Sequence, residues 1–349
     1  MSGSGVRRDS GPMSTYARLH ALLAAAVIAL AVPAGAYALA PGATALVDRP
    51  AGFGALPGDG DNQTYATMDR DVSDSGRYVA FESDQDASLA PGHARRLRSV
   101  FLRDTATNTT VDVCVSTAGK PANGSCSQPA VSGDGRSVAF VSSATNLDPA
   151  DQDPDGSVYV RHLQTGTTVL ASRADGAAGA GAGQYASAPS LSADGTRVAF
   201  ETPSVLAAPD TGSDLDVYVR DLVAGTTTMV SRRGAVEANG DSSHADISGD
   251  GQWVAFESHA TDLDPLDPNT RSDVYRAPAA GGTPMLMSRS AADQVGDAAS
   301  YQPSISAKTF SNVESMIATE SVCAVTLMLA PRVRPSSRAA SRWRRTRDR

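Results

Sequence analysis

Three stretches of this 349-residue chain gather carboxylates just ahead of a Val-Tyr pair. Counting back from Val158, Val217 and Val274, the seventh residue is Asp151, Asp210 or Asp267. The fifth is Asp153, Gly212 or Asn269, and the first is Ser157, Asp216 or Asp273; Asp155 and Asp214 fall in the same loops. Alternating oxygen donors in a short loop are what a hard cation such as Ca²⁺ takes. The competing reading has these side chains accept backbone N–H bonds and shape a turn. The turn reading is preferred, because D-x-D-x-D-G with a distal Glu is absent. No cofactor is required; calcium is the ion these residues could hold. The matching stretch nearest the N-terminus has His93 and Ser99 at the end positions.

Other chemistry is sparse. Cys114 and Cys126 flank a polar Gly/Ser/Asn-rich loop. In an oxidising compartment they read as a loop-closing disulfide; two unpaired thiols are the alternative. Cys323 has no evident partner, and C-x-x-C zinc spacing is absent. No G-x-S-x-G elbow occurs in the body of the chain. Of the histidines, His20 lies in the apolar N-terminal stretch, while His93, His162, His244 and His259 are expected in loops or outer strands. Glu82, Glu201 and Glu257 follow one strand segment and Arg103, Arg220 and Arg276 the next, so antiparallel Glu–Arg pairs are expected. No catalytic residue is assigned.

The elements that position these residues come from an internal repeat. SDSGRYVAFES (73–83), SGDGRSVAFVS (132–142), SADGTRVAFET (192–202) and SGDGQWVAFES (248–258) align without gaps. Each precedes a second shared segment, such as SVYVRHLQTGTTVLAS from Ser157 or DVYVRDLVAGTTTMVS from Asp216. Ser73, Ser132, Ser192, Ser248 and Ser306 mark the period, at intervals of 59, 60, 56 and 58 residues. Each unit reads as four short strands: one ending at the serine, a tight turn through Gly76, Gly135, Gly195 or Gly251, the VAF strand, the VYV strand, and a last strand after a T-G turn. The Ser-x-Asp-Gly turns are one residue short of sialidase Asp boxes and read as ordinary hairpin turns. Four strands repeated at this period are β-propeller blades, near 67–116, 127–173, 186–232 and 243–289, with a fifth begun at 300–306. The fold class is therefore all-β.

S-x-D-G-R-x-V-A-F followed by D-V-Y-V-R-D-L and T-G-T-T resembles the TolB-type, WD40-like β-propeller repeat. The resemblance covers 65–306 and implies the fold and an extracytoplasmic binding or scaffold role with a protein or glycan partner. It implies no reaction, since one fold hosts many functions. The alternatives are a propeller enzyme of polysaccharide lyase or hydrolase type, with a metal and an Arg gathered in the channel, and a non-functional truncated remnant.

The ends are expected to differ from the body. Arg7, Arg8 and Arg18, the apolar run from Leu19 to Ala40 and the A-Y-A of Ala36 to Ala38 describe a secretory signal over 1–38, followed by a linker or first-strand region over 39–64. An uncleaved membrane anchor is the alternative, and it alone would give the chain a membrane contact. Either places the body outside the cytoplasm, secreted or associated with the cell envelope. After Ser306 the repeat stops, and 307–349 forms an atypical Arg-rich tail, expected to reflect truncation or a frameshift. A basic tail that binds nucleic acid or an acidic surface is the competing reading. The net charge is −8; the last 18 residues carry eight Arg and one Asp, or +7, so the remainder carries −15. A body this acidic is a poor match for a phosphate backbone.

Overall fold

The computed structural model describes residues 71–84, 89, 97–151, 155–176 and 178–306. The expected signal, linker and tail lie outside them.

Alternating apolar residues produce strands whose two faces are both buried. β1 (Tyr78–Ser83), β2 (Ser99–Asp104) and β3 (Thr109–Asp112) form one antiparallel sheet. The second sheet runs in order through β4 (Cys126–Val131), β5 (Ser137–Ser142), β6 (Ser157–His162) and β7 (Thr167–Leu170). The third is β8 (Ser187–Leu191), β9 (Arg197–Thr202), β10 (Asp216–Asp221) and β11 (Thr226–Met229). A hairpin of β12 (Arg232–Arg233) and β13 (Val236–Glu237) follows. The fourth sheet is β14 (Ser242–Ile247), β15 (Trp253–Ser258), β16 (Asp273–Pro278) and β17 (Met285–Leu286). In the first sheet, Val72 bridges Val79 ahead of the turn.

The period-two alternation explains the stacking. Phe140 and Tyr159 face the first sheet and share a core with Ala80, Val100 and Leu102. Their neighbours Ala139, Val158 and Val160 face the third sheet, against Leu191, Phe200 and Tyr218. Ala199, Val217 and Val219 in turn meet Phe256 and Tyr275 of the fourth. Sheets two, three and four thus each lay an aromatic face on the small aliphatic face of the sheet before it. Cross-strand rings stack at 5.7–5.9 Å in all four sheets, as in Phe140 with Tyr159 and Phe256 with Tyr275. Such pairs contribute about 0.5–1.5 kcal/mol beyond their burial.

Successive first strands touch, β4 with β8 and β8 with β14. The Ser-x-Asp-Gly turns add backbone straps between sheets, Asp134 N–H to the Ala193 carbonyl at 2.9 Å and Ala193 N–H to that of Gly249 at 2.8 Å. Within the turn, Ser132 Oγ donates to Asp134 at 2.7 Å and accepts from the Ser137 N–H at 3.0 Å. Gly135 sits at φ 70°, which a side chain rarely adopts. These are the hairpin turns expected from the repeat.

Candidate functional site

The antiparallel ladder puts two kinds of connection at one end of every sheet: the loop from second to third strand, and the link to the next sheet. The acidic residues lie in the first kind. Asp151, Asp210 and Asp267 are buried, and each accepts a hydrogen bond from the tyrosine eight residues on. The Tyr159–Asp151 and Tyr275–Asp267 distances are both 2.5 Å, and Tyr218 makes the same bond to Asp210. Burial and this bond raise the tyrosine pKa in all three sheets. The first sheet lacks both partners at once, with Phe101 for the tyrosine and His93 for the aspartate. The first acid of the motif therefore anchors an aromatic ring.

The residue before the valine faces a serine from the end of the last strand. Ser231 Oγ donates to Asp216 at 2.7 Å and Ser288 Oγ to Asp273 at 2.6 Å, and both hydroxyls accept the N–H of the following valine. Sheet two has Ser157 here, and Ser172 Oγ accepts the Val158 N–H. Asp155 and Asp214 are exposed, and Asp153 lies outside the described residues.

The three loops differ in how they balance charge. In sheet four, Asn269 Nδ2 donates to Asp267 Oδ1 at 2.6 Å and to Asp273 Oδ2 at 3.3 Å. Its Oδ1 accepts the Arg271 N–H at 2.8 Å, which fixes the amide orientation. Sheet two has a serine in place of the second carboxylate. Sheet three keeps both Asp210 and Asp216, has Gly212 where Asn269 would be, and adds Glu237 from β13. One oxygen each of Asp210, Asp216 and Glu237 lies within 4.8 Å of the others. Burial, together with the charges of Asp210, Glu237 and Asp214, pushes the Asp216 carboxyl up to about 8 despite the Ser231 bond. In sheet four, burial and Asp267 raise Asp273 to about 6. Glu237 escapes a comparison of repeats because the link hairpins, which pair Val115 with Pro121, Arg173 with Gly181, Arg232 with Glu237 and Arg289 with Val295, differ in length and carry a carboxylate at this position in the third-to-fourth link alone.

The expected Glu–Arg pairs do not form. Glu82 opposes Val100 and Arg103 opposes Val79, three positions apart; Glu201 opposes Val217 and Arg220 opposes Val198. Arg276 opposes Ala255 and stacks on Trp253 at 4.3 Å. The glutamates reach between sheets instead. Glu82 accepts the Gln128 N–H at 2.6 Å and Glu201 the His244 N–H at 2.9 Å. Sheet two has Val141 at the glutamate position, and there the Gln128 side chain accepts the Ala188 N–H at 2.8 Å. The donating residues sit in a β-bulge of the first strands β4, β8 and β14, at φ 51° (Gln128), 49° (Ala188) and 52° (His244), and Gln302 repeats the conformation at 53°. His244 is therefore on a first strand, contrary to the loop or outer-strand expectation, with its Nδ1 against Glu257. His162 ends the third strand β6, where burial lowers its pKa and Nδ1 meets Ser137 Oγ at 3.0 Å.

Cys114 and Cys126 form a disulfide with Cα atoms 6.3 Å apart, tying the first sheet to β4. Replacing both with serine is expected to cost about 2–3 kcal/mol, the loop-closure entropy for a span of this length, read as a lower urea midpoint.

No protein-family model and no curated protein matches the chain. Among solved structures it is similar to TolB from Acinetobacter baumannii, at 16% identity over 64% of this chain and 44% of that one, TM-score 0.38. It is similar to the β-propeller domain of the Trilobed protease from Pyrococcus furiosus, at 13% identity over 64% and 57%, TM-score 0.37. A third is oligogalacturonate lyase from Vibrio parahaemolyticus, at 12% identity over 65% and 54%, TM-score 0.38. The chain spans about half the length of these structures, and they include enzymes as well as TolB. Antiparallel sheets of one plan, aromatic faces laid on the sheet before and joined through their first strands, give this chain the blade architecture of a β-propeller.

Proposed function

We propose that the chain is an exported binding module that takes a protein partner on the rim carrying its long loops. The observation behind this is the distribution of exposed apolar side chains. Tyr185, Val205, Val236, Leu266 and Tyr301 are 44–61% exposed, and all lie in connections at the same end of their sheets. The framework behind them repeats from sheet to sheet, whereas these loops differ in length and residue type. A constant scaffold that displays exposed tyrosines and aliphatics on variable loops suits protein recognition. The disulfide supports an oxidising compartment, in keeping with the apolar segment at 19–40. No reaction is assigned.

The test is capture of a cell-envelope partner by the full chain, repeated with Tyr185→Asp plus Tyr301→Asp and with Val223→Asp at the opposite end. The rim pair is expected to abolish capture and Val223→Asp to leave it intact. Equal capture by all three, or retention on a glycan array in place of a protein, would overturn the reading.

A further inference from the structure

We propose that the third sheet holds a divalent, oxygen-seeking cation of the calcium class between Asp210, Asp216 and Glu237. The three residues come from the β9–β10 loop, the start of β10 and the β12–β13 hairpin. An ion there ties the hairpin to the sheet.

Proximity of acids alone would not carry this. Asp216 is 1% exposed, and its Oδ2 is buried with no hydrogen-bond partner. Its Oδ1 is already taken by Ser231. Leaving a buried carboxylate oxygen without a donor is costly, and native proteins satisfy such atoms with a proton, a donor or an ion. The donors within the cluster do not reach it. Asp210 accepts from Tyr218 and from the Gly212 N–H at 3.0 Å; Glu237 Oε2 accepts from the Thr211 N–H at 2.8 Å and its hydroxyl at 3.1 Å. Among the described residues no ion pair reaches any of the three carboxylates. Arg232, opposite Glu237 in the hairpin, spends its guanidinium on the carbonyls of Met229 (3.0 Å) and Gly234 (2.8 Å).

The other sheets show what the third lacks. Sheet four fills the corresponding place with the Asn269 amide, a donor to both acids, and sheet two deletes the second acid. Sheet three does neither and adds a third. A Cβ on Gly212 would lie 2.4 Å from Glu237 Oε1, so the glycine is what lets that carboxylate in. Carboxylates from a loop and a hairpin, completed by water, suit the loose coordination of calcium better than the strict octahedron of magnesium.

The measurement is calorimetric titration of CaCl₂ into the full chain after chelator treatment near neutral pH, paired with melting curves. One site is expected, with Kd on the order of 10⁻⁴–10⁻³ M and a rise in Tm. Asp216→Asn and Glu237→Gln are each expected to weaken binding about tenfold or more. Gly212→Asn, which copies sheet four, should abolish binding while melting in chelator no lower than the parent. That variant keeps the test meaningful should the acid variants fold poorly. Absence of heat and of a Tm shift in 10-fold excess over the expected Kd would overturn the proposal. Unchanged affinity in both Glu237→Gln and Gly212→Asn would overturn the placement.

Discussion

In chelator, the protein is expected to lose stability as pH rises from about 4 to about 8, and Asp216→Asn to remove most of that loss, including nearly all of it above about pH 6.5. The Asp216 carboxyl titrates near its ordinary 3.8 when the chain is unfolded and at about 8 when folded. A raised acid binds its proton more tightly in the native state. Its contribution is complete below the unfolded value and disappears as pH rises through the folded one. The slope approaches about 1.4 kcal/mol per pH unit inside the window, for a total on the order of 5 kcal/mol. Asp273, raised to about 6, adds to the fall in the lower half of the window. His162, lowered by burial, opposes it there, since its neutral form is favoured on folding. Asp104 acts outside the window. The bonds from Arg77 and the N–H groups of Ala106 and Thr107 outweigh its burial and hold it at about 2, so its stabilisation is lost only in stronger acid. From about pH 6.5 to 8, Asp216 contributes most of the slope. Urea midpoints at three pH values in that range check this. A flat profile for the parent, or an unchanged slope in Asp216→Asn, would show that the carboxyl is not raised.

That behaviour cannot be read from the repeat, and the reason is physical. What the sequence shows well is whatever every sheet needs. The V-A-F and V-Y-V triplets alternate large and small because one face must fill the groove of the preceding sheet. Ser132, Asp134 and Gly135 recur because one turn geometry needs a hydroxyl acceptor, a carboxylate and a positive φ. The motif acids are visible for the same reason, although their main task is to hold tyrosines. Features set by register are less visible. Glu82 and Arg103 read as partners by spacing, yet the pairing frame puts them three positions apart. The bulge at Gln128, Ala188 and His244, whose positive φ Gln302 repeats, uses no common residue type, because it is created by one extra residue in the first strand and fixed by an acceptor from the preceding sheet. Pro129, Pro189 and Pro303 follow three of the four and are the available clue. Glu237 is hidden because the hairpin that carries it varies in length and has Pro121, Gly181 or Val295 at the equivalent place in the other links, so aligning the units discards it. Site chemistry sits in what the repeats do not share.

The Tyr275–Asp267 pair tests how far the shared part is structural. Tyr275→Phe removes the donor to Asp267 Oδ2, in a residue that is fully buried, and is expected to cost about 1–3 kcal/mol. Asp267→Ala is expected to cost more, about 3–5 kcal/mol. It strands the tyrosine hydroxyl and the Asn269 amide together, and leaves Asp273 without the neighbour to which that amide is bonded. The first sheet offers a ready control, since its sequence has Phe101 and His93 at the two corresponding positions. Tyr275→Phe combined with Asp267→Ala should therefore cost less than the sum of the two, with a coupling of at least about 1 kcal/mol. The ring itself stays in place, stacked on Phe256 at 5.8 Å, so the cycle isolates the hydroxyl–carboxylate bond from aromatic packing. Strict additivity would mean that the carboxylate is satisfied by something other than the tyrosine. In that case the motif acids of sheets two and four would have to be reconsidered as ligands rather than anchors. A coupling of the expected size instead confines the case for an ion to sheet three, where a third carboxylate was added and no amide was supplied.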